Sequence, residues 1–309
     1  MSSASILVLG AGELGNAVIN ALTSHPNKPA ANIAVLLRSS TLNSQDPQKQ
    51  GQNKRLLSLG VALEAGDVEA ASVAELAQIF GKYHTIVSCT GMYLAPGSQL
   101  KLTRAVLEAG VARYFPWQYG IDYDVVGGGS AQDLFDEQLE VRNLLRSSAA
   151  SASSPVDWVI VSTGLFMSFL LVPEFGPVDL KNRVLRGLGN WDTPVSATTP
   201  QDIGRMVAEI VYDPRDVSRQ VVYVAGDTVT YGRVADLVEA RFGGSWTREI
   251  WDLDFLQKRL QAEPDNGMVK YQNVFAAGKG VAWDMSKTIN RRRGIDLEDF
   301  ETYLKHIDA

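Results

Sequence analysis

Short apolar runs recur along the first half of the chain. Each stops at glycine or polar residues and is followed by a stretch with helical spacing. SILVL at residues 5–9 ends at Gly10, and an unbroken apolar run of this length reads as a strand buried on both faces. Residues 13–24 follow with Leu14, Val18, Ala21 and Leu22 at helical spacing, and His25-Pro26 ends that helix because the residue before proline avoids the α region. The alternation continues through strand IAVLL (33–37), a polar stretch after Arg38 that runs into a short helix ending at Gly60, and strand VALEAGD (61–67). Helix 72–80, strand HTIVSC (84–89), helix 97–109 and strand ARYFP (112–116) complete the series.

Strands alternating with helices over short links predict an α/β fold, a doubly wound parallel sheet covered on both faces. Right-handed crossovers lay its first strands out in Rossmann order. After residue 120 the rhythm loosens. VVGGGS reads as a flexible loop, residues 131–147 as a helix and SSAASASSP as a linker of small residues. VDWVIVSTG returns to strand character, PQDIGRMVAEIVY (200–212) has proline and an acid in a first helical turn, VVYVAG reads as a strand and 231–241 as a helix. The expected organisation is a Rossmann domain over residues 1–155, its sheet completed by 156–162. Residues 163–309 form a smaller C-terminal substrate lobe with some segments returning to the first domain.

Gly10-Ala11-Gly12-Glu13-Leu14-Gly15 is a GxGxxG that leaves a strand and opens a helix, the context that gives this motif physical meaning. Gly10 permits the tight turn, Gly12 lets a pyrophosphate approach the backbone, and Gly15 lets helix and strand pack closely. The helix N-terminus offers unpaired N–H groups and partial positive charge to phosphates. Where a site for NAD carries an acid at the end of the second strand, this chain has Arg38, followed by Ser39, Ser40 and Thr41. A guanidinium with neighbouring hydroxyls suits a 2′-phosphate, so NADPH is the expected cofactor, with Lys54 or Lys49 as a second cation. The other strand ends face the same crevice. They contribute Asp67 as an acceptor for an adenine amino group, Cys89, Thr90 and Gly91 beside ribose and pyrophosphate, and Gln118 and Thr163.

Composition narrows the classes. The chain has 309 residues, net charge −6 and one cysteine, Cys89. An acidic chain with dispersed cations lacks the footprint of a nucleic-acid binder, and Arg291-Arg292-Arg293 reads as a solvated helix end. One cysteine fits a reducing compartment, and three histidines with it give no expectation of a metal. No run reaches the ~18 apolar residues of a membrane helix, and MSSASILVLGAG lacks a signal peptide's basic start. The expectation is a cytoplasmic protein, monomer or homodimer, acting on a small molecule.

The segments GAGELG, LLRSSTL, LGVALEAGD, ARYFPWQYG, LFDEQLEVR, WVIVSTGLFM and TTPQDIG together resemble the atypical short-chain dehydrogenases of the isoflavone reductase, phenylcoumaran benzylic ether reductase and NmrA-like group, most of all its fungal isoflavone-reductase-like members. The resemblance runs from residue 6 to about 204 and is loose beyond. It implies a Rossmann domain, NADPH, and hydride transfer to small phenolic or polyketide-like molecules. Its glycine motif falls on Gly10, Gly12 and Gly15, and its phosphate-binding arginine on Arg38. The plant reductases usually read PSEFG where this chain has Pro116-Trp117-Gln118-Tyr119-Gly120. They carry a catalytic lysine in a helix beginning FExK. Matching Phe135 and Arg142 puts Gln138 at that position, and the chain has no Tyr-x-x-x-Lys.

Glutamine is no acid or base near neutral pH, but it donates a hydrogen bond. Gln138 is therefore a candidate to polarise a carbonyl, and Tyr119 and Tyr123, with Asp122 beside them, are candidates to deliver a proton. Trp117, Phe166, Phe169 and Trp191 are candidate walls of an aromatic pocket. Three readings stay open: an NADPH-dependent reductase of an aromatic or polyketide-like metabolite, an NmrA-like sensor that binds NADP(H) without turnover, and a non-redox cyclase or isomerase on the same scaffold.

Overall fold

The computed structural model describes residues 5–28, 32–151 and 156–308. Thirteen strands are found among them: β1 (Ile6–Leu9), β2 (Ile33–Leu37), β3 (Ala62–Ala65), β4 (Thr85–Ser88), β5 (Arg113–Phe115), β6 (Asp157–Ser162), β7 (Leu165–Phe166), β8 (Val178–Asp179), β9 (Val184–Leu188), β10 (Pro194–Thr198), β11 (Gln220–Tyr223), β12 (Asp227–Thr230) and β13 (Thr247–Trp251). Seven form one sheet in the order β11-β6-β5-β4-β1-β2-β3. The pairs from β3 through β6 are all parallel, so the Rossmann order and the α/β class expected from the alternation are present. Ile6 of β1 pairs with Ile33 on one side and Thr85 on the other. The carboxyl ends of β1, β2 and β4 therefore lie level, and Gly10, Arg38 and Cys89 follow them on the same edge.

Two compact units divide the chain. The first is Met1–Gln118, Glu140–Val161 and Ile203–Val222, and the second Tyr119–Leu139, Ser162–Asp202 and Tyr223–Ala309. In the first, alternate strand residues Leu7, Leu9, Leu36 and Ile86 join Leu76, Phe80, Leu102 and Val106 from helices Val73–Phe80 and Ser98–Ala109 in one core. The intervening residues Ile6, Val8, Val35 and Val87 are equally buried, as a sheet covered on both faces requires. Arg113, at the start of β5, is buried. It donates to the carbonyls of Ile210 and Val217 and pairs with Asp157 at 3.1 Å. It thus satisfies an orphan carbonyl in the last turn of helix Pro200–Tyr212. That helix crosses helix Glu13–Ser24 at Gly204, where a Cβ would lie 2.5 Å from the Ala17 carbonyl oxygen.

The second unit holds two three-stranded sheets, β12-β10-β7 and β13-β9-β8. Its core includes Phe135, Phe175, Phe275 and Phe300. The final hundred residues, whose periodicity is weak, contribute β12, β13 and helices including Tyr231–Phe242, Leu253–Ala262 and Gly267–Ala276. No helix among the described residues is long and apolar enough to cross a membrane.

Local chemistry moves several predicted boundaries. A twelve-residue helix, Pro47–Ser58, occupies much of what reads as a polar stretch. Asp46 caps it by accepting from the N–H groups of Gln48 and Lys49, and Pro47 fills its first turn. The short helix Tyr123–Val126 precedes the glycine loop, capped by Asp122. The helix expected over 131–147 runs Asp133–Ser151, so the start of the expected linker is helical. The rest of that linker, residues 152–155, lies outside the described residues.

Gly204 gives a stability test. Alanine favours a helix interior by about 1 kcal/mol, but the clash is with backbone that no rotamer change relieves. Gly204→Ala is expected to lose about 1–2 kcal/mol net. The measurement is a lower denaturant midpoint at unchanged m-value.

Candidate functional site

The glycine turn is shaped by two contacts and one opening. Gly10 has φ +90°, and a Cβ there would sit 3.1 Å from the Thr90 Cβ. A Cβ on Gly15 would lie 2.2 Å from the Gly10 carbonyl oxygen and 3.5 Å from the Cys89 Cβ. Helix and strand thus touch at a point that admits no side chain. Gly12 differs: a Cβ would meet nothing within 4 Å. Its lack of a side chain serves no internal packing; it leaves space in front of the helix. Gly12 is the N-cap of helix Glu13–Ser24, and no side chain caps it. The first-turn N–H groups, those of Glu13 and Leu14 among them, have no partner within the helix, and its partial positive charge gathers at this end. The Leu14 side chain is buried and that of Glu13 exposed.

Arg38 and Ser39 are exposed at the end of β2. The Arg38 carbonyl accepts from Thr41 and Leu42 and sets a tight turn. Asp67, after β3, is engaged by its own loop: its Oδ1 accepts from the N–H groups of Glu69 and Ala70 at 2.9 and 3.2 Å. Those two bonds, with the Arg38 and Lys101 cations nearby, hold its carboxyl below the usual aspartate range despite partial burial. The Arg38 cation is thus near enough to act on the Asp67 carboxyl through its field. Lys101 also clamps this loop through Nζ bonds to the Glu69 and Ala71 carbonyls at 2.7 and 3.1 Å.

After β4, Cys89 continues the ladder through its N–H to the Leu9 carbonyl, and its side chain is buried behind Gly15. The Thr90 carbonyl accepts from Gln99 Nε2 at 3.1 Å. Gly91 lies under the Trp117 indole, where a Cβ would be 2.1 Å from the ring. Gln118 is buried, and its Oε1 accepts from Nε of the wholly buried Arg142 at 2.8 Å. Lys54 faces a shallow depression of about 410 Å³ shared with Leu57 and with Leu42, Asn43 and Ser44, which follow the Arg38 turn; no residue of the glycine turn lines it. The side chains of this helix that reach the turn are others. Gln52 Nε2 donates to the Ala11 carbonyl at 2.6 Å, and Arg55 donates to Asn16 and Asn20. The spacing 52/55 on one helix face is the signal that marks them.

The remaining candidates belong to the second unit. Gln138 is fully buried. Tyr119 is buried, and Tyr123 is a core member whose ring lies 5.2 Å from Phe135. Asp122 accepts from the Tyr223 hydroxyl at 2.6 Å, and its N–H donates to the Gly280 carbonyl. Thr163 is buried, with its N–H on the Gly120 carbonyl and its own carbonyl accepting from Thr198.

Of the aromatics expected to share a wall, Trp117 lies in the first unit and Phe166, Phe169 and Trp191 in the second, where Phe169 and Trp191 both pack against one core. Trp117 stacks on Gly91, while Trp191 packs at Gly187 with the Arg248 guanidinium 5.7 Å from its ring. Phe169 instead joins Phe175 and Tyr271, at 4.9 and 6.1 Å between ring centres.

Comparison with known proteins follows this geometry. The model of the NmrA-like family matches residues 2–304. An NmrA-like family domain-containing oxidoreductase of Gibberella moniliformis is 51% identical over 308 residues, covering 99% of each chain. Oxidoreductase BOA1 of Botryotinia fuckeliana is 22% identical over 250 residues, 77% of this chain and 75% of that one. Among solved structures, an isoflavone reductase superposes with TM-score 0.78 at 20% identity, covering 98% of this chain and 99% of that one. The complex of leucoanthocyanidin reductase with NADPH from Vitis vinifera gives 0.79 at 17% identity, over 97% and 98%. The structural likenesses extend the shared fold across both units, and the sequence match, nearly end to end, fixes the lineage: the chain belongs to the NmrA-like family.

Proposed function

We propose that this protein is an NADPH-dependent reductase of a small aromatic or polyketide-like molecule. The observation that carries the reading is an uncapped helix N-terminus with open space at Gly12, beside a guanidinium at the end of β2. The residues fit the cofactor in kind. Gly12, Glu13, Leu14 and Gly15 offer backbone N–H groups to the pyrophosphate. Arg38 with Ser39 suits a 2′-phosphate, and Asp67, Thr90 and Gly91 stand at neighbouring strand ends. Lys54, facing its own depression, is the weakest of the cofactor candidates. In support, the 51% identical relative is described as an oxidoreductase. NADPH is present in structures of the same fold, including a quinone oxidoreductase of Escherichia coli.

NADPH, when bound, supplies the hydride. What the chain supplies is position and polarity. Gln138 is our first candidate to donate a hydrogen bond to a substrate oxygen, because its amide is carried on a buried helix face. Tyr119 is the candidate for the proton; Tyr123, packed on Phe135, is less suited. The aromatic group of Phe169 and Tyr271, both partly buried, matches a flat apolar substrate.

One observation favours a second reading. A buried glutamine where related reductases have lysine has no proton to transfer, and a sensor that binds NADP(H) without turnover, or a non-redox isomerase, needs none.

Three measurements test these readings. NADPH is expected to bind more tightly than NADH, and Arg38→Ala to remove roughly 10- to 100-fold of that preference, the scale of a charge-assisted bond; a preference left intact by Arg38→Ala refutes the assignment. Gly12→Val is expected to keep the protein folded at a cost of about 1 kcal/mol, the scale of a poorer N-cap, yet abolish nucleotide binding in a fluorescence titration, because its side chain fills the open space. NADPH consumption with a panel of enones, flavonoid-like ketones and quinones is expected to find a substrate. Tight NADPH binding with no turnover on any would favour the sensor, and product without nicotinamide consumption the isomerase.

A further inference from the structure

Helix Pro47–Ser58 poses a question of stability. It buries only Asn53 and Leu56, too little apolar surface to hold twelve residues in place. What it offers instead is a row of amides aimed at loop carbonyls. Gln50 Nε2 donates to Ser44 at 3.2 Å, Asn53 Nδ2 to Thr41 at 3.2 Å and Gln52 Nε2 to Ala11 at 2.6 Å. Thr41 closes the turn that Arg38 opens, and Ala11 is the centre of the glycine turn. One rigid element therefore grips both loops.

The grip on Ala11 is doubled. Asn16 Nδ2 donates to the same carbonyl at 2.7 Å and to that of Gly12 at 2.9 Å. Asn16 Oδ1 in turn accepts from Arg55 at 3.2 Å, while the second guanidinium nitrogen holds Asn20 Oδ1 at 2.7 Å. Arginine only donates. It therefore fixes which end of the Asn16 amide faces it and leaves the nitrogen for the turn. In a trans peptide the C=O and the following N–H point in opposite directions, and the structure contains no cis bond among the described residues. Gln52 from Pro47–Ser58 and Asn16 from Glu13–Ser24 together fix the direction of the Ala11 carbonyl, and with it the Gly12 N–H, which points the opposite way.

We propose that Gln52, with Asn16 and Arg55, is a positioning residue that presets the Gly12 N–H for a pyrophosphate and locks the glycine turn at a fixed distance from the Arg38 turn. The inference rests on the NADPH reading above. It concerns the pyrophosphate end of the ligand, so its effect is separable from that of Arg38. Without the Gln52 bond, Asn16 alone holds the Ala11–Gly12 peptide, and binding must tighten a turn that is less firmly set. A nucleotide without pyrophosphate is indifferent to this.

The test uses the full chain and two probes, NADPH and 2′-AMP, the latter carrying adenine and the 2′-phosphate but no pyrophosphate. Gln52→Leu removes the donor while keeping a good helix former. It is expected to weaken NADPH about fivefold to tenfold, the scale of one hydrogen bond, with 2′-AMP unchanged. Arg55→Met, at an exposed position, is expected to weaken NADPH about two- to threefold, also sparing 2′-AMP, and serves if Gln52→Leu does not fold. Equal losses for both probes mean a general loosening and overturn the proposal, as does unchanged NADPH affinity in the folded variants. Wild-type protein that binds neither probe overturns the cofactor reading and this inference together; wild-type binding with indifferent variants overturns this inference alone.

Discussion

The first turn of helix Glu13–Ser24 has backbone donors that no side chain caps. Unsatisfied N–H groups at a helix end are tolerable when water or a ligand reaches them, and here the Gly12 face is open while the Gly10 and Gly15 faces are closed by Thr90 and by the strand itself. Much of the first unit can be read from that constraint. Thr90 and Cys89 are small because they abut the turn. The polar helix Pro47–Ser58 sits where it does because its amides satisfy the turn's carbonyls. The result is a loop whose carbonyls are spent inside the protein and whose N–H groups are left outside it.

The central sheet was legible because it obeys a simple periodic rule. Each of β1, β2 and β4 is a short run buried on both faces, and the helices after β1 and β4 carry their apolar residues at helical spacing. The glycine turn was legible for the same reason: its three glycines have distinct steric causes that sequence context exposes. Helix Pro47–Ser58 was not fully legible, since apolar periodicity is blind to a helix held by side-chain amides. Asp46-Pro47 was the available signal, an N-cap followed by a first-turn proline, and it competes poorly with a run of glutamines that also suits a loop.

The second unit was harder to read. Its strands are short, and its two small sheets pair residues far apart in sequence, as Val184 with Thr247 and Pro194 with Thr230. Neither alternation nor spacing identifies such partners. The aromatic residues show the consequence. Phe169 finds Phe175 and Tyr271, whereas Trp191 finds Arg248, and no local pattern separates the two outcomes.

Electrostatics at the strand ends adds a further constraint. The chain is acidic, at net charge −6, yet it must attract a ligand with several phosphate charges if the reductase reading is right. Bulk charge opposes that, and the helix end supplies only a partial charge. The Arg38 guanidinium is the full cation at the turn, and it shares its surroundings with Asp67, whose carboxylate its own loop keeps ionised. An anion arriving at Arg38 therefore meets a cation whose field a nearby carboxylate partly offsets, and binding draws on the guanidinium's geometry as well as its charge, since several donors lie in one plane. A lysine, a point charge without that fork, would offer a phosphoryl group less. The same logic explains why the Asp67 loop is tied down so heavily, by two N–H bonds and by Lys101. A carboxylate free to swing toward the phosphates would undo the attraction, so the protein fixes the acid in order to keep the base available.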